Sequence, residues 1–257
     1  MRNKDIIRIE NLKKHFQVHH GLFEDKKVLK AVDGVSFEIK RGETFGVVGE
    51  SGCGKSTLGR TITRLYDATA GRIYFDNHEI TSLKGKKLHP YKKKMQIIFQ
   101  DPYSSLNPSM NVREILAEPL QIHTDLKGKD LETKTIELLE TVGLDPTSIS
   151  KFPHEFSGGQ RQRLGIARAI SVEPDFILCD EPISALDVSI QAQIINKLEA
   201  IQEKSGVSYL FIAHDLSMVK HISHRIGVMY LGKMVEIASS ADLYKEPLLP
   251  YTKGLLQ

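Results

Sequence analysis

Gly49-Glu50-Ser51-Gly52-Cys53-Gly54-Lys55-Ser56 fits the pattern G-x-x-x-x-G-K-[ST]. Chemistry that needs this spacing is the holding of a polyphosphate. Glycines let the backbone curl until several N–H groups converge on one phosphate, and a helix beginning near Lys55 would add the positive end of its dipole. Lys55 then offers a mobile charge to the outer phosphates, and the hydroxyl of Ser56, next to Thr57, offers an oxygen to Mg²⁺. A chance glycine turn before a structural helix is the competing reading. The flanks decide against it, because the loop sits between a strand-like run and a helix-like run, the context that gives the motif meaning.

A second cluster lies in Phe176-Ile177-Leu178-Cys179-Asp180-Glu181. Two acids at the end of a buried apolar strand are poorly explained by stability, since uncompensated charge at a sheet end is costly. Asp180 suits Mg²⁺, and Glu181 is then placed to polarise an attacking water. A helix-capping Asp-Glu pair before Pro182 is the plainer alternative, and the glycine loop elsewhere in the chain outweighs it. Ser157-Gly158-Gly159 before the helix-like stretch 160–170 makes another anion-receptive helix start, with Gln160 at its head. Two such starts but one lysine-bearing loop point to a second subunit, whose nucleotide the second start would serve.

These residues must be held by an ordered scaffold. Ile7 and Ile9 alternate with polar residues, as do Val35, Phe37 and Ile39, which predicts half-buried strands. Residues 18–30, polar and broken by Gly21, read as a surface excursion. Thr44–Val48 is a short apolar run that predicts a buried strand. Leu58, Ile62 and Leu65 recur at helical spacing after it, and Ile73–Phe75 returns to strand. Between Pro102 and Leu164 the apolar residues take helical spacing, for example Ile136, Leu139 and Val142, with Gly143 and prolines as punctuation. Strand-like runs return at 176–179 and 209–212, with a helix over Ile190, Ile194, Leu198 and Ile201 between them. Strands alternating with helices imply a mainly parallel sheet with helices on both faces.

Composition agrees with a soluble globular chain: 257 residues, 40% hydrophobic and 26% charged, with a net charge of +3. Cys53 and Cys179, far apart and without metal-type spacing, read as reduced thiols. The amino terminus has no signal-peptide core, and no apolar run approaches the ~20 residues needed to cross a bilayer. The lysine-rich stretch 84–94 reads as a solvated face, so no nucleic-acid partner is expected.

The complete set resembles the ABC transporter ATPases, across essentially the whole chain. Phe156-Ser157-Gly158-Gly159-Gln160-Arg161-Gln162 is similar to the family signature, with Phe in the first position. Gln100, after Ile97-Ile98-Phe99, matches the glutamine that contacts Mg²⁺ and senses the γ-phosphate. Ser184-Ala185-Leu186-Asp187 matches the loop whose aspartate, here Asp187, crosses the dimer interface. His214 matches the switch histidine, and Phe16 the aromatic residue that stacks on adenine. Taken alone, His214 reads as a strand-end histidine, and its place in the ordered set reverses that reading; a lone aromatic after a strand, such as Phe16, reads as core or edge packing.

The resemblance implies an α/β fold: a P-loop NTPase core with a mainly parallel sheet, an N-terminal antiparallel β subdomain and an inserted α-helical subdomain. One nucleotide-binding domain would fill the chain, with its core at about 1–100 and 165–257 and the helical part at about 101–164. It implies ATP and Mg²⁺ as ligands and ATP hydrolysis by Glu181, His214 and Gln100. Two subunits would pack head-to-tail, Ser157, Gly158, Gly159 and Gln160 of each covering the other's ATP. Residues 99–108, 184–193, 31–37 and Pro250-Tyr251-Thr252-Lys253 are similar to the peptide/nickel import subfamily, most of all to the F-type ATPase subunit of oligopeptide and dipeptide importers. Expected partners are a non-identical D-type ATPase, with a homodimer open in isolation, two transmembrane permease subunits and, indirectly, an external substrate-binding protein. The expected location is the cytoplasmic face of the membrane. Import of nickel or metal chelates by the same machine, or a soluble non-transport ABC ATPase, are the alternatives. Ile183 stands where the family commonly has threonine. Family members run on past the Pro-Tyr-Thr-Lys stretch, so this chain is expected to be either a truncated or a short natural form.

Overall fold

The computed structural model describes residues 5–18, 27–184 and 186–256. In chain order they form β1 (Asp5–Val18), β2 (Lys27–Lys40), β3 (Thr44–Val48), α1 (Lys55–Ile62), β4 (Ala70–Phe75), β5 (His78–Glu79), α2 (His89–Lys94) and β6 (Met95–Ile98). There follow α3 (Pro102–Ser105), α4 (Val112–His123), α5 (Gly128–Thr141), α6 (Gly158–Ile170), β7 (Phe176–Asp180) and α7 (Val188–Ser205). The chain closes with β8 (Ser208–Ile212), α8 (Leu216–Ile222), β9 (Arg225–Tyr230), β10 (Lys233–Ser239), α9 (Ser240–Lys245) and α10 (Pro250–Leu255). The chain divides into two compact units, residues 1–89 with 208–257, and residues 90–207.

In the first unit β1 and β2 form an antiparallel ribbon, with Ile9 opposite Phe37 and Leu12 opposite Val35. β4 pairs antiparallel along the other edge of β1, Ile7 opposite Phe75 and Ile9 opposite Ile73. Ile7 and Ile9 are buried, as their alternation predicts, and Leu12 is buried beyond a register shift that follows Ile9. The expected excursion over 18–30 is shorter than its polarity suggests. Val18 pairs with Lys27 and Phe16 with Leu29, so 27–30 is strand, while 19–26 lies outside the described residues. Val28 and Leu29 are both exposed, and a ribbon with no buried face there leaves no alternation to read.

β3 is buried along its whole length and lies parallel to β8 on one side and β9 on the other; β10 returns antiparallel to β9. Parallel pairing needs a crossover, and α8 supplies it between β8 and β9. The packing is close enough that a Cβ on Gly46 would stand 2.7 Å from Val219 of α8. α1 begins at Lys55 as expected but ends at Ile62. Leu65, read as part of its apolar face, is exposed and outside the helix. Arg64 takes a positive φ of 58° and turns the chain away; its buried guanidinium bonds the Ile80 carbonyl at 3.2 Å and Asp67 at 2.9 Å.

In the second unit β6 and β7 pair in parallel, Ile97 opposite Leu178. The segment between them is helical, α3 to α6. Asn111 caps α4 in a reciprocal box with Glu114, and Gly143, at φ 71°, ends α5. Ile115, Leu116, Leu120, Leu139, Leu164 and Ile166 form the buried faces of α4, α5 and α6. The architecture is the expected one: α/β, with parallel and antiparallel strands and a helical insertion.

Candidate functional site

Each unit carries its own part of the predicted site. In the first, β3 delivers the chain into a loop whose shape only glycine tolerates. Gly49, Gly52 and Gly54 have φ of 150°, 77° and 111°. A Cβ on Gly49 would lie 2.2 Å from the Met229 carbonyl oxygen, and one on Gly54 would lie 2.0 Å from that of Ala31. Gly52 has nothing within 4 Å, so there the dihedral alone demands glycine. Gly54 is the N-cap of α1 and no side chain caps the helix.

Lys55 is buried, and its ammonium donates to the carbonyls of Gly49 at 2.7 Å and Glu50 at 2.9 Å. The charge therefore sits inside the curl it would share with a phosphate. The Cys53 sulfur is 3.9 Å from the same ammonium. Burial pushes the Cys53 thiol up, with the Lys55 charge only partly opposing it, so it is a neutral packing group and not a nucleophile. Glu50, Ser51 and Gly52 are exposed; Ser56 and Thr57, on the first turn of α1, are half-buried.

Phe16 lies on β1, half-buried, its ring edge-on to Tyr66 at 5.9 Å. The Lys14 ammonium is 4.8 Å from its centroid. His214 is exposed immediately after β8, next to Asp215, which caps α8 through the Ser217 and Met218 amides.

In the second unit β7 ends in Asp180, fully buried, and Glu181, 6% exposed. Glu181 has a φ of 51°, the left-handed region that costs a non-glycine residue about 1–2 kcal/mol. Its carbonyl accepts the Ser184 amide and hydroxyl at 3.3 and 3.2 Å, and this turn aims the side chain. Gln100, just past β6, donates from Nε2 to the Glu181 carboxylate at 2.7 Å. The structure thus brings together two residues expected to act on one phosphate, though they lie 81 positions apart.

Ser157 caps α6 in a reciprocal box. Its hydroxyl accepts the Gln160 amide at 3.3 Å, and its own amide donates to the Gln160 side chain at 2.9 Å. Ser-x-x-Gln is itself the sequence sign of such a box, a signal the sequence reading passed over. A Cβ on Gly159 would stand 2.6 Å from a methyl of Ile190 at the start of α7, whereas one on Gly158 would meet Leu186 at 3.6 Å. Asp187 is exposed at the N-cap of α7 and makes no side-chain cap; Ala185 lies outside the described residues. Arg161, read only as part of the signature stretch and given no role there, is buried, with its guanidinium 3.6 Å from the Tyr103 ring centroid and bonded to the Pro153 carbonyl at 2.6 Å.

Residues 32–184 match the family described as ABC transporter. The chain is 57% identical over 253 residues to the oligopeptide transport ATP-binding protein OppF of Bacillus subtilis, covering 98% of this chain and 81% of that protein. It is 51% identical over 256 residues to the dipeptide transport ATP-binding protein DppF of Lactococcus lactis, covering 98% and 80%. Among solved structures, an ATP-binding cassette captured as a dimer in a post-hydrolysis state with ADP and Pi superposes with a TM-score of 0.82. The two are 27% identical over 91% of this chain and 98% of that one.

Proposed function

Because this chain belongs to the ABC transporter family, as an ATP-binding subunit of an oligopeptide or dipeptide importer, we propose that it binds ATP on Gly49–Thr57 and hydrolyses it with Glu181 as the base. The observation that carries this is the loop, with three glycines in conformations closed to other residues around one buried ammonium. The enzyme is an ABC ATPase, and its hydrolysis is coupled to transmembrane transport.

Lys55 draws charge from the outer phosphates while the loop amides hold them. Glu181 accepts a proton from water as the water oxygen bonds the γ-phosphorus. The bond to the β–γ bridging oxygen breaks, and ADP leaves with the electron pair. Gln100 holds the Glu181 carboxylate ready through its 2.7 Å bond, and its amide oxygen is the end not spent on that contact. His214 contacts the γ-phosphate and Phe16 stacks on adenine. Ser56, Asp180 and Gln100 are all oxygen donors, the hard set that suits Mg²⁺. Bound there, the ion would neutralise charge on the phosphates.

Two subunits pair head-to-tail, the exposed Asp187 and the α6 start, Ser157 to Gln160, facing the partner's nucleotide. This chain is the F-type member, its natural partner a D-type ATPase, and because it carries both half-sites, self-pairing in isolation is chemically open to it. The helical part, 101–164, follows the nucleotide state and conveys it to two membrane permease subunits, which an external binding protein supplies with peptide. Among the described residues no helix is long and apolar enough to cross a membrane. As the ATP-binding subunit of an importer, the chain would sit peripherally at the cytoplasmic face, held by the permease.

Glu181→Gln should keep ATP binding, lower hydrolysis about a hundred-fold or more and accumulate nucleotide-bound dimers on size exclusion. Undiminished turnover would remove Glu181 from its role. Uptake of labelled peptides by cells lacking the gene should return with the wild type but not with Lys55→Ala. Unchanged peptide uptake would redirect the search to nickel or metal chelates.

A further inference from the structure

The terminal Pro-Tyr-Thr-Lys stretch has no part in the chemistry above, yet it is built onto the phosphate loop. Tyr251, on α10, accepts the backbone N–H of Glu50 on its hydroxyl at 3.1 Å. Its ring packs on Tyr230, with centroids 4.5 Å apart and planes tilted by 51°. Behind it α10 is pinned by one carboxylate. Glu236, buried on β10, accepts the Leu248 amide at 2.9 Å, the Leu249 amide at 3.3 Å and the hydroxyl of Thr252, itself fully buried. Burial pushes the Glu236 carboxyl up, but the bonds from Thr252, Leu248 and Leu249 together hold it below its ordinary value, so it serves as a charged acceptor.

The same β9–β10 hairpin touches the loop twice more. The Gly232 amide donates to the Cys53 carbonyl at 2.9 Å, and the Met229 carbonyl is the group that leaves Gly49 no room for a Cβ. Gly49 is thus backed by one residue of β9 and Glu50 held by a ring resting on the next.

We infer that Tyr251 is a positioning residue for the phosphate loop, the tip of a clasp that runs from Glu236 through α10 to the Glu50 amide. The inference rests on the ATP-binding reading above. An exposed N–H can be satisfied by water, so this bond adds little to folding. What it adds is order, because it fixes the peptide that opens the curl. Lys55 ties the carbonyls of Gly49 and Glu50 from within. A phosphate that draws the ammonium away loosens that tie, while the Tyr251 bond from outside remains. A loop ordered in advance loses less freedom when it binds.

The test uses the full chain. Tyr251→Phe keeps the ring on Tyr230 and deletes the acceptor. KM and Kd for ATP should rise about three- to ten-fold, the effect of one hydrogen bond, with kcat within two-fold and the melting temperature unchanged. Glu236→Gln, which loosens α10, should raise KM by a similar factor, and the double variant should be no worse than either alone. Unchanged KM in a folded Tyr251→Phe protein overturns the clasp, as does a loss confined to melting temperature or a fully additive double variant. Should Glu236→Gln fail to fold, Thr252→Val takes its place in the cycle. A wild type that binds no ATP would sink the functional reading instead, so the two failures are told apart.

Discussion

Two helices in this chain begin on glycine-rich sequence, α1 in the first unit and α6 in the second, and they are built differently. The start of α1 has no side-chain cap, and Gly49, Gly52 and Gly54 all have positive φ, two of them without room for a Cβ. The start of α6 is an ordinary capped helix. Ser157 and Gln160 satisfy each other, and neither Gly158 nor Gly159 lies in the left-handed region. A loop of the first kind is shaped by its own backbone and holds a phosphate with its own resources. In the second, Gly159 makes room for Ile190 of α7, while Gly158, with its nearest neighbour at 3.6 Å, keeps the surface low for whatever is laid on it from outside. That difference matches a chain that grips one nucleotide itself and covers another held by a second subunit.

The largest expected effect comes from adding one methyl group to each start. Gly54→Ala places a Cβ 2.0 Å from a backbone oxygen at φ 111°. It should cost about 2 kcal/mol or more in stability and weaken binding of a fluorescent ATP analogue at least about a hundred-fold. Gly158→Ala meets its nearest neighbour at 3.6 Å, an ordinary contact, at a position whose φ is open to alanine. Its melting temperature should hold or rise, and ATP binding by the isolated subunit should stay within two-fold. Hydrolysis at concentrations that favour the dimer should still fall about ten-fold. Equal loss of ATP binding in the two variants would break the comparison.

The same contrast explains what was legible in the sequence. The glycine loop could be read because local dihedrals impose residue types at fixed spacing, and the buried strands because β3, β7 and β8 are continuous apolar runs. Leu65 misled, since helical spacing says nothing of the positive φ at Arg64 that ends the face. The Gln100–Glu181 contact could not be read locally: the strand-end acids gave Glu181, the resemblance gave Gln100, and only the fold shows their bond. Tyr251 and Glu50, 201 positions apart, leave no periodic trace. The Ser157–Gln160 box was the opposite case, a local signal present in plain letters.

Removing that box should have a middling effect. Ser157→Ala leaves the Gln160 amide without its side-chain acceptor and should cost about 1 kcal/mol, as the loss of a helix cap does, visible in urea unfolding. If α6 covers the partner's nucleotide as proposed, ATP affinity of the isolated subunit should be preserved while hydrolysis falls. A fall in ATP affinity matching that of Gly54→Ala would make the two helix starts alike after all.

The smallest effect belongs to the frame around the first start, and it has a pH signature. Glu236 is held below its ordinary pKa in the folded chain. Its contribution to stability is therefore complete above the ordinary carboxylate range and is lost as pH falls through the depressed folded value. Glu236→Gln keeps one acceptor oxygen but loses the charge, and should cost about 1 kcal/mol at pH 7, a drop of about 2–4 °C in Tm for a chain of this size. The gap should narrow as the buffer is taken from pH 7 down into the carboxylate range, because the wild type gives up the same charge that the variant lacks. A gap that stays constant with pH would mean that shape and not charge pins α10. The start of α1 would then be framed by packing alone, much as Gly159 of α6 is by Ile190 of α7.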